Sequence, residues 1–326
     1  MGRTRRLLHE YLEQGWLTDV SDLNTAVQPG TFRTVGLIGR LGNPLVADTL
    51  VRIHRLLKAR GVQVLVEEPT ADMLHSLAAP PKLCHRHDLG GRCDLVIVVG
   101  GDGSLLGVAR ELSVSGVPVL GVNRGSLGFL ADISPDEVET AVSDVLAGGY
   151  IIDERFLLET EILRGGERVA GGAALNDVVI HAGTLSRMME FQLFVDDEFV
   201  YEQRSDGVIV STPTGSTAYS LSAGGPIMHP KLDAICVVPM FPHTLTSRPL
   251  VVQGNCELSI LVGDYNDTSP QVSCDSQVDL HTEPGDRVVV RKRSGPLRLL
   301  HPLDHSFYES CRSKLDWGSR LGDKPQ

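Results

Sequence analysis

The run Leu95-Val96-Ile97-Val98-Val99, closed by Gly100-Gly101-Asp102-Gly103, restricts the possible folds of this 326-residue chain more than any other segment. An apolar stretch without polar alternation is buried on both faces, as a parallel strand covered by crossover helices is. A helical stretch from Ser104 to about Leu112 follows the glycines, so the segment reads as strand, tight loop and helix. Glycines at the carboxyl end of such a strand let backbone approach a ligand closely, and the next helix offers free N–H groups to an anion.

The same rhythm extends to either side. Val35-Gly36-Leu37-Ile38-Gly39 reads as a first buried strand, Val46, Leu50, Ile53 and Leu57 recur at helical spacing up to Gly61, and Val62 to Val66 reads as a second strand. A strand at Val117 to Val122 and a helix from Pro135 to Leu146 complete an α/β domain at 34–148, preceded by an N-terminal extension at 1–33. Beyond Gly148-Gly149 the texture is strand-like. Phe156 to Leu163, Val178 to His181, Phe191 to Val195, Val208 to Val210, Leu258 to Val262 and Arg287 to Arg291 are separated by turn-rich links, so 149–326 reads as a β-rich second domain.

Composition narrows the function classes. The net charge of −11, from 30 Lys+Arg against 41 Asp+Glu, argues against a nucleic-acid or anionic-membrane surface, both of which need a basic footprint. No apolar run approaches the roughly 20 residues of a membrane span, and the basic N-terminus lacks the apolar core of a signal peptide, so a cytoplasmic location is expected. The six cysteines form no CxxC or CxxH pair, which suggests neither a zinc site nor a disulfide framework.

Asp102 can do one of three things: cap its helix, hold a divalent metal, or accept a proton from a hydroxyl that attacks phosphorus. The chain has neither GxGxxG nor GxxxxGK[ST], and Gly36-x-x-Gly39-x-x-Gly42 has the wrong spacing for a dinucleotide fingerprint. Asn176-Asp177, at the start of a strand, reads either as an Asx turn or as a contact to a base edge and ribose hydroxyls. Arg204-Ser205-Asp206-Gly207 and Pro213 to Ser222 flank the strand Val208 to Ser211. They therefore lie at opposite ends of it and reach one ligand only if that ligand is extended or the site is shared between subunits.

Gly100-Gly101-Asp102-Gly103, Leu175-Asn176-Asp177-Val178-Val179, Gln203-Arg204-Ser205-Asp206-Gly207, Ser211 to Pro226, Val238 to Leu245 and Cys274-Asp275-Ser276-Gln277, in this order, resemble the NAD kinase family in its Gram-negative bacterial form, over about Thr34 to Trp317. The resemblance implies an N-terminal Rossmann-like α/β domain with a parallel sheet and an all-β sandwich-like C-terminal domain, with the site between them. It implies transfer of the γ-phosphoryl group of ATP to the 2′-hydroxyl of the adenosine ribose of NAD, giving NADP. Asp102 matches the general base, and Gly101 and Gly103 the glycines that keep its loop close to phosphate. Asn176 matches an adenine-side contact and Asp177 the acid that meets ribose hydroxyls, where the family usually has Glu. Asp206 matches the acid at the nicotinamide end, with Arg204 beside it. Thr217, Ala218, Tyr219, Ser220, Leu221 and Ser222 match the lining of the adenine and ribose pocket, Gln277 a late polar contact, and Arg187 a position where relatives often carry a basic residue. A homodimer or homotetramer with a shared site is implied. Because both substrates are anionic, Mg²⁺ is expected with the phosphates and no all-protein metal cage is needed. Another GGDG kinase acting on a lipid or sugar phosphate, and a non-catalytic dinucleotide sensor, are the competing readings.

Overall fold

Between Thr34 and Arg155 the chain alternates strand and helix, as the apolar periodicity demands. The computed structural model describes residues 32–124, 128–183, 188–264, 266, 269–315 and 317. Its first elements are β1 (Thr34–Gly39), α1 (Pro44–Ala59), β2 (Gln63–Glu67), α2 (Glu68–Ala71), β3 (Lys82–Cys84), α3 (Arg86–Arg92), β4 (Leu95–Gly100), α4 (Asp102–Leu112), β5 (Val119–Asn123), α5 (Val138–Leu146) and β6 (Ile151–Arg155). Helix α1 shows how local sequence sets its bounds: the Asn43 side chain accepts from the Leu45 N–H, Pro44 fills the first turn, and Val46, Leu50, Ile53 and Leu57 bury one stripe. It ends before Gly61, whose φ of 74° suits glycine.

The chain continues with β7 (Leu158–Arg164), β8 (Glu167–Ala174), β9 (Asp177–His181), β10 (Met189–Val195), β11 (Glu198–Ser205), β12 (Gly207–Ser211), α6 (Tyr219–Ser222), β13 (Ala234–Met240), β14 (Leu250–Gln253), β15 (Glu257–Val262), β16 (Gln271–Cys274), β17 (Val278–His281), β18 (Arg287–Lys292), β19 (Leu297–His301) and α7 (Phe307–Lys314). A seven-stranded sheet has the order β3-β2-β1-β4-β5-β19-β6. All its pairs are parallel except β19 with β6. The α/β domain is thus completed by β6 and by β19 from late in the chain, both beyond the expected boundary at 148.

The second domain is an antiparallel sandwich of two six-stranded sheets, β11-β10-β15-β18-β7-β8 and β14-β13-β12-β9-β16-β17. Between them lie Ile162, Phe191, Leu193, Leu258, Ile260 and Val288 from one sheet, and Val178, Ile180, Val208, Val210, Ile235 and Val237 from the other. The opposite face of β9, β12 and β13 is buried as well, with Val179, Ile209, Cys236 and Val238 packed under Met228 and Ala223. That second layer explains why these strands read as continuous apolar runs rather than alternating ones. The expected fold class, a parallel α/β domain followed by a β sandwich, is the observed one. No helix among the described residues is long and apolar enough to cross a membrane.

Candidate active site

In the order β3-β2-β1-β4-β5 the strand order reverses between β1 and β4, and open α/β sheets bind ligands outside the carboxyl ends of the strands at such a point. Gly100-Gly101-Asp102-Gly103 leaves β4 there and Arg40 leaves β1, with a cavity of about 330 Å³ lined by Arg40, Gly101, Gly103 and Ser104. A Cβ added at Gly101 or Gly103 would meet open space, so both glycines keep that cavity clear.

Asp102 does not cap its helix. Gly101 is the N-cap residue and makes no side-chain cap bond. The Asp102 carboxylate instead turns toward the segment after β5, where Oδ2 accepts from the Phe129 N–H at 2.7 Å and Oδ1 from the Leu130 and Ala131 N–H groups at 3.1 Å each. A carboxylate offers about four lone-pair positions, so among the described residues one position on Oδ2 stays free of backbone donors. Gly128 makes this cradle possible, because a Cβ there would lie 1.8 Å from Asp102 Oδ1.

The cradle is braced from behind by Asp132. Its Oδ2 meets His301 Nδ1 at 2.9 Å and His305 Nδ1 at 2.7 Å, and the two rings stack at 3.9 Å. Burial opposes ionisation of Asp132, but the hydrogen bonds from His301 and His305 outweigh it and hold the carboxyl well below its ordinary range. The three residues could also supply one ligand each to a cation, since their ligand atoms lie within 4.8 Å of one another. In the arrangement seen, both Nδ1 atoms are spent on one oxygen, so the group acts as a clamp tying β19 and the approach to α7 to the turn that cradles Asp102.

The sandwich domain reaches the same place through Asp275. Held at φ 54° in the turn between β16 and β17, Asp275 accepts from the N–H groups of Leu175, Asn176 and Asp177, and its Oδ2 pairs with Arg110 of α4 at 3.0 Å. Gln277 donates to the Gly103 carbonyl at 2.9 Å and accepts from Arg110 at 2.6 Å, fastening the glycine loop to the sandwich. The Thr212–Thr217 segment docks on the same corner: Thr212 N–H donates to the Asn176 carbonyl, and a Cβ at Gly215 would come within 2.1 Å of that oxygen. Sequence reasoning missed Asp275 and Arg110, whose roles depend on partners more than 90 residues away.

Asp177 and Asp275 are only 3% and 4% exposed. Burial first, and then the charge of Asp275, push the Asp177 carboxyl up to about 7. The folded chain thus holds this proton more tightly than the unfolded chain, whose Asp titrates near 3.9. Its stabilising contribution is complete below about pH 4 and is lost as pH rises through about 7. Asp177→Asn is expected to raise thermal stability at pH 8 by on the order of 1 kcal/mol or more and to leave it unchanged near pH 4, as differential scanning calorimetry at the two pH values would show.

The remaining sequence-predicted residues divide by position. Thr217 ends a short 3-10 turn and Tyr219, Ser220, Leu221 and Ser222 form α6, with Ala218 between them, all at the Ser211 end of β12 where Asp177 pairs with Ser211. The Ser220 hydroxyl is buried without a partner among the described residues. Arg204 and Asp206 sit at the other end of β12, beside His181, and Arg204 pairs with Glu190 at 3.1 Å while staying 63% exposed. Arg187 lies outside the described residues. The structure therefore gathers Asp102, Gly101, Gly103, Asn176, Asp177 and Gln277 with the Thr217–Ser222 segment, and leaves Arg204 and Asp206 a strand's length away. A larger cavity of about 770 Å³, bounded by Phe156, Asp233 and Lys292 among others, lies elsewhere, and its Lys292 is already paired with Asp233 at 2.6 Å.

Comparisons with known proteins find relatives that span both domains. Residues 35–150 match the ATP-NAD kinase N-terminal domain and residues 175–301 the ATP-NAD kinase C-terminal domain. The NAD kinase of Azotobacter vinelandii is 58% identical over 293 residues, covering 89% of this chain and 98% of that protein, and the NAD kinase of Pseudomonas fluorescens strain SBW25 is 57% identical over the same share. The crystal structure of yeast NADH kinase complexed with NADH superposes with a TM-score of 0.82 at 25% identity, covering 90% of this chain and 91% of that one. An Archaeoglobus fulgidus NAD kinase in complex with ATP shares the fold, with a TM-score of 0.66 at 21% identity over 87% of this chain and 98% of that one.

Proposed function

The chain belongs to the ATP-NAD kinase family and catalyses ATP-dependent phosphorylation of NAD, and from that premise we propose which of its residues carry the transfer. The observation that carries the proposal is the Asp102 carboxylate at the switch point of the sheet, where the described residues hold it by three backbone N–H groups and leave one position on Oδ2 free. That position accepts the proton of the adenosine 2′-hydroxyl of NAD. The oxygen's electron pair forms the new bond to the γ-phosphorus of ATP, and the bond to ADP breaks with its pair on the leaving oxygen. Gly101, Gly103, Arg40 and the first N–H groups of α4 suit the phosphate chain, whose charge a negatively charged protein must meet locally.

Asn176 and Asp177 receive the adenosine half of NAD, and the Thr217–Ser222 segment lines the pocket beside them. Gln277 and Arg110 act as the fastening between the two domains rather than as free ligand contacts, since each is spent on protein partners. Arg204 and Asp206, at the far end of β12, serve the nicotinamide half of an extended dinucleotide or the site of a neighbouring subunit in a homo-oligomer. The protein works in the cytoplasm without nucleic acid or membrane. A lipid or sugar-phosphate kinase leaves the Asn176 and Thr217–Ser222 features without a purpose, and a non-catalytic sensor has no need of a cradled carboxylate.

Mg²⁺ enters with ATP as part of the substrate. The residues present fit that role, because Asp102 has spent most of its lone pairs on backbone donors and cannot chelate, whereas phosphate oxygens can. Purified protein given NAD, ATP and Mg²⁺ is expected to form NADP. Excess EDTA abolishes that turnover and added Mg²⁺ restores it, while NAD binding measured calorimetrically without ATP survives chelation. NAD binding that vanishes with EDTA would place the metal on the protein instead.

A further inference from the structure

Helix α7 arrives last in the described chain and ends beside the catalytic loop. Phe307 packs on Phe129 at 6.3 Å and on His229 at 5.1 Å, so the helix spans the cradle turn and the segment that follows α6. In its last turn, Lys314 Nζ stands 3.8 Å from Asp102 Oδ2 and 4.2 Å from the centre of the Phe129 ring. Phe129 is the residue whose N–H already bonds that same oxygen. Among the described residues, Lys314 is the cation paired with Asp102.

Taking Asp102 as the base, we propose that Lys314 is a positioning residue for phosphoryl transfer, acting through the Asp102 carboxylate. Three sides of that carboxylate are fixed by neutral N–H donors of the cradle. The ammonium adds a full charge beside the oxygen that retains a free position. Its attraction for that oxygen resists rotation of the carboxylate out of the cradle. At 3.8 Å the pair is too long for a hydrogen bond, so an incoming hydroxyl can take the free position without displacing a tight contact. The ring of Phe129 holds the ammonium in place by cation–π attraction, and that ring is itself packed on the same helix. Burial pulls the Lys314 pKa below the ordinary lysine value, and the charge of Asp102 opposes that pull.

The alternative is that Lys314 merely offsets the partial negative charge at the end of α7. A double-mutant cycle separates the two. NADP formation is measured for wild type, Lys314→Met, Lys314→Arg, Asp102→Asn and the Lys314→Met/Asp102→Asn double variant, with melting temperature as the fold control. Lys314→Met is expected to lower kcat about tenfold or more with KM for NAD and ATP within about twofold, and Lys314→Arg to recover most of the loss. On the Asp102→Asn background, Lys314→Met is expected to cost nothing further, because its action passes through the missing carboxylate. An unchanged kcat in Lys314→Met, or a loss that persists in full on the Asp102→Asn background, overturns the inference and leaves the reading of Asp102 intact. Wild-type activity in Asp102→Asn overturns both.

Discussion

Asp102→Asn is expected to lower kcat for NADP formation by about 100-fold or more, the low end of what a positioned proton acceptor contributes. A carboxamide cannot take the hydroxyl proton. It also fits the cradle badly: its one oxygen can face the Leu130 and Ala131 N–H groups, but its NH₂ then meets the Phe129 N–H, donor against donor. Leaving one N–H unpaired costs about 1–3 kcal/mol, so the variant should melt lower while remaining folded. Steady-state kinetics beside circular dichroism and thermal melts would separate the two effects. A variant that keeps kcat within a few-fold of wild type would remove Asp102 from the chemistry.

Gly128→Ala is expected to do comparable damage, about 100-fold in kcat, from a position that touches no substrate in the proposed mechanism. The added methyl would stand 1.8 Å from Asp102 Oδ1 and 2.6 Å from its Cγ, so either the carboxylate swings out or the cradle turn moves away. Both outcomes break the bonds to residues 129–131, and both leave the sheet behind untouched. Melting temperature should therefore fall modestly and KM for NAD should change little, since Asn176 and Asp177 belong to the other domain. Normal turnover in Gly128→Ala would mean that Asp102 works from a position outside the cradle.

The features legible in the sequence share one property: their signal is local. The apolar run of β4 and the glycines after it needed only nearest neighbours to be read, and so did α1 with its Asn43 cap and Pro44. The double burial of β9 and β12 was also visible, as Val178-Val179-Ile180 and Val208-Ile209-Val210. Strand β8 was not, because Glu167 to Ala174 contains two glycines and a mostly half-exposed face, and only pairing with β7 makes it a strand. Gln277 could be assigned to the site by its motif, yet its use as a fastening to Gly103 follows from a fold that brings together residues 174 positions apart. Lys314 is one more basic residue in a helical tail until Phe307 finds Phe129 and His229.

Strand β19 has a consequence for biosynthesis. It lies between β5 and β6, so the first sheet lacks an inner member until almost the whole chain has left the ribosome. Until then β5 is an open edge of apolar backbone, a template for wrong pairing with a neighbouring nascent chain. Release of His301 and His305 also supplies the clamp on Asp132 behind the cradle, so completion of the sheet and bracing of the Asp102 turn come from one late stretch of polypeptide. A chain stopped before Leu297 would therefore forfeit solubility and catalysis together.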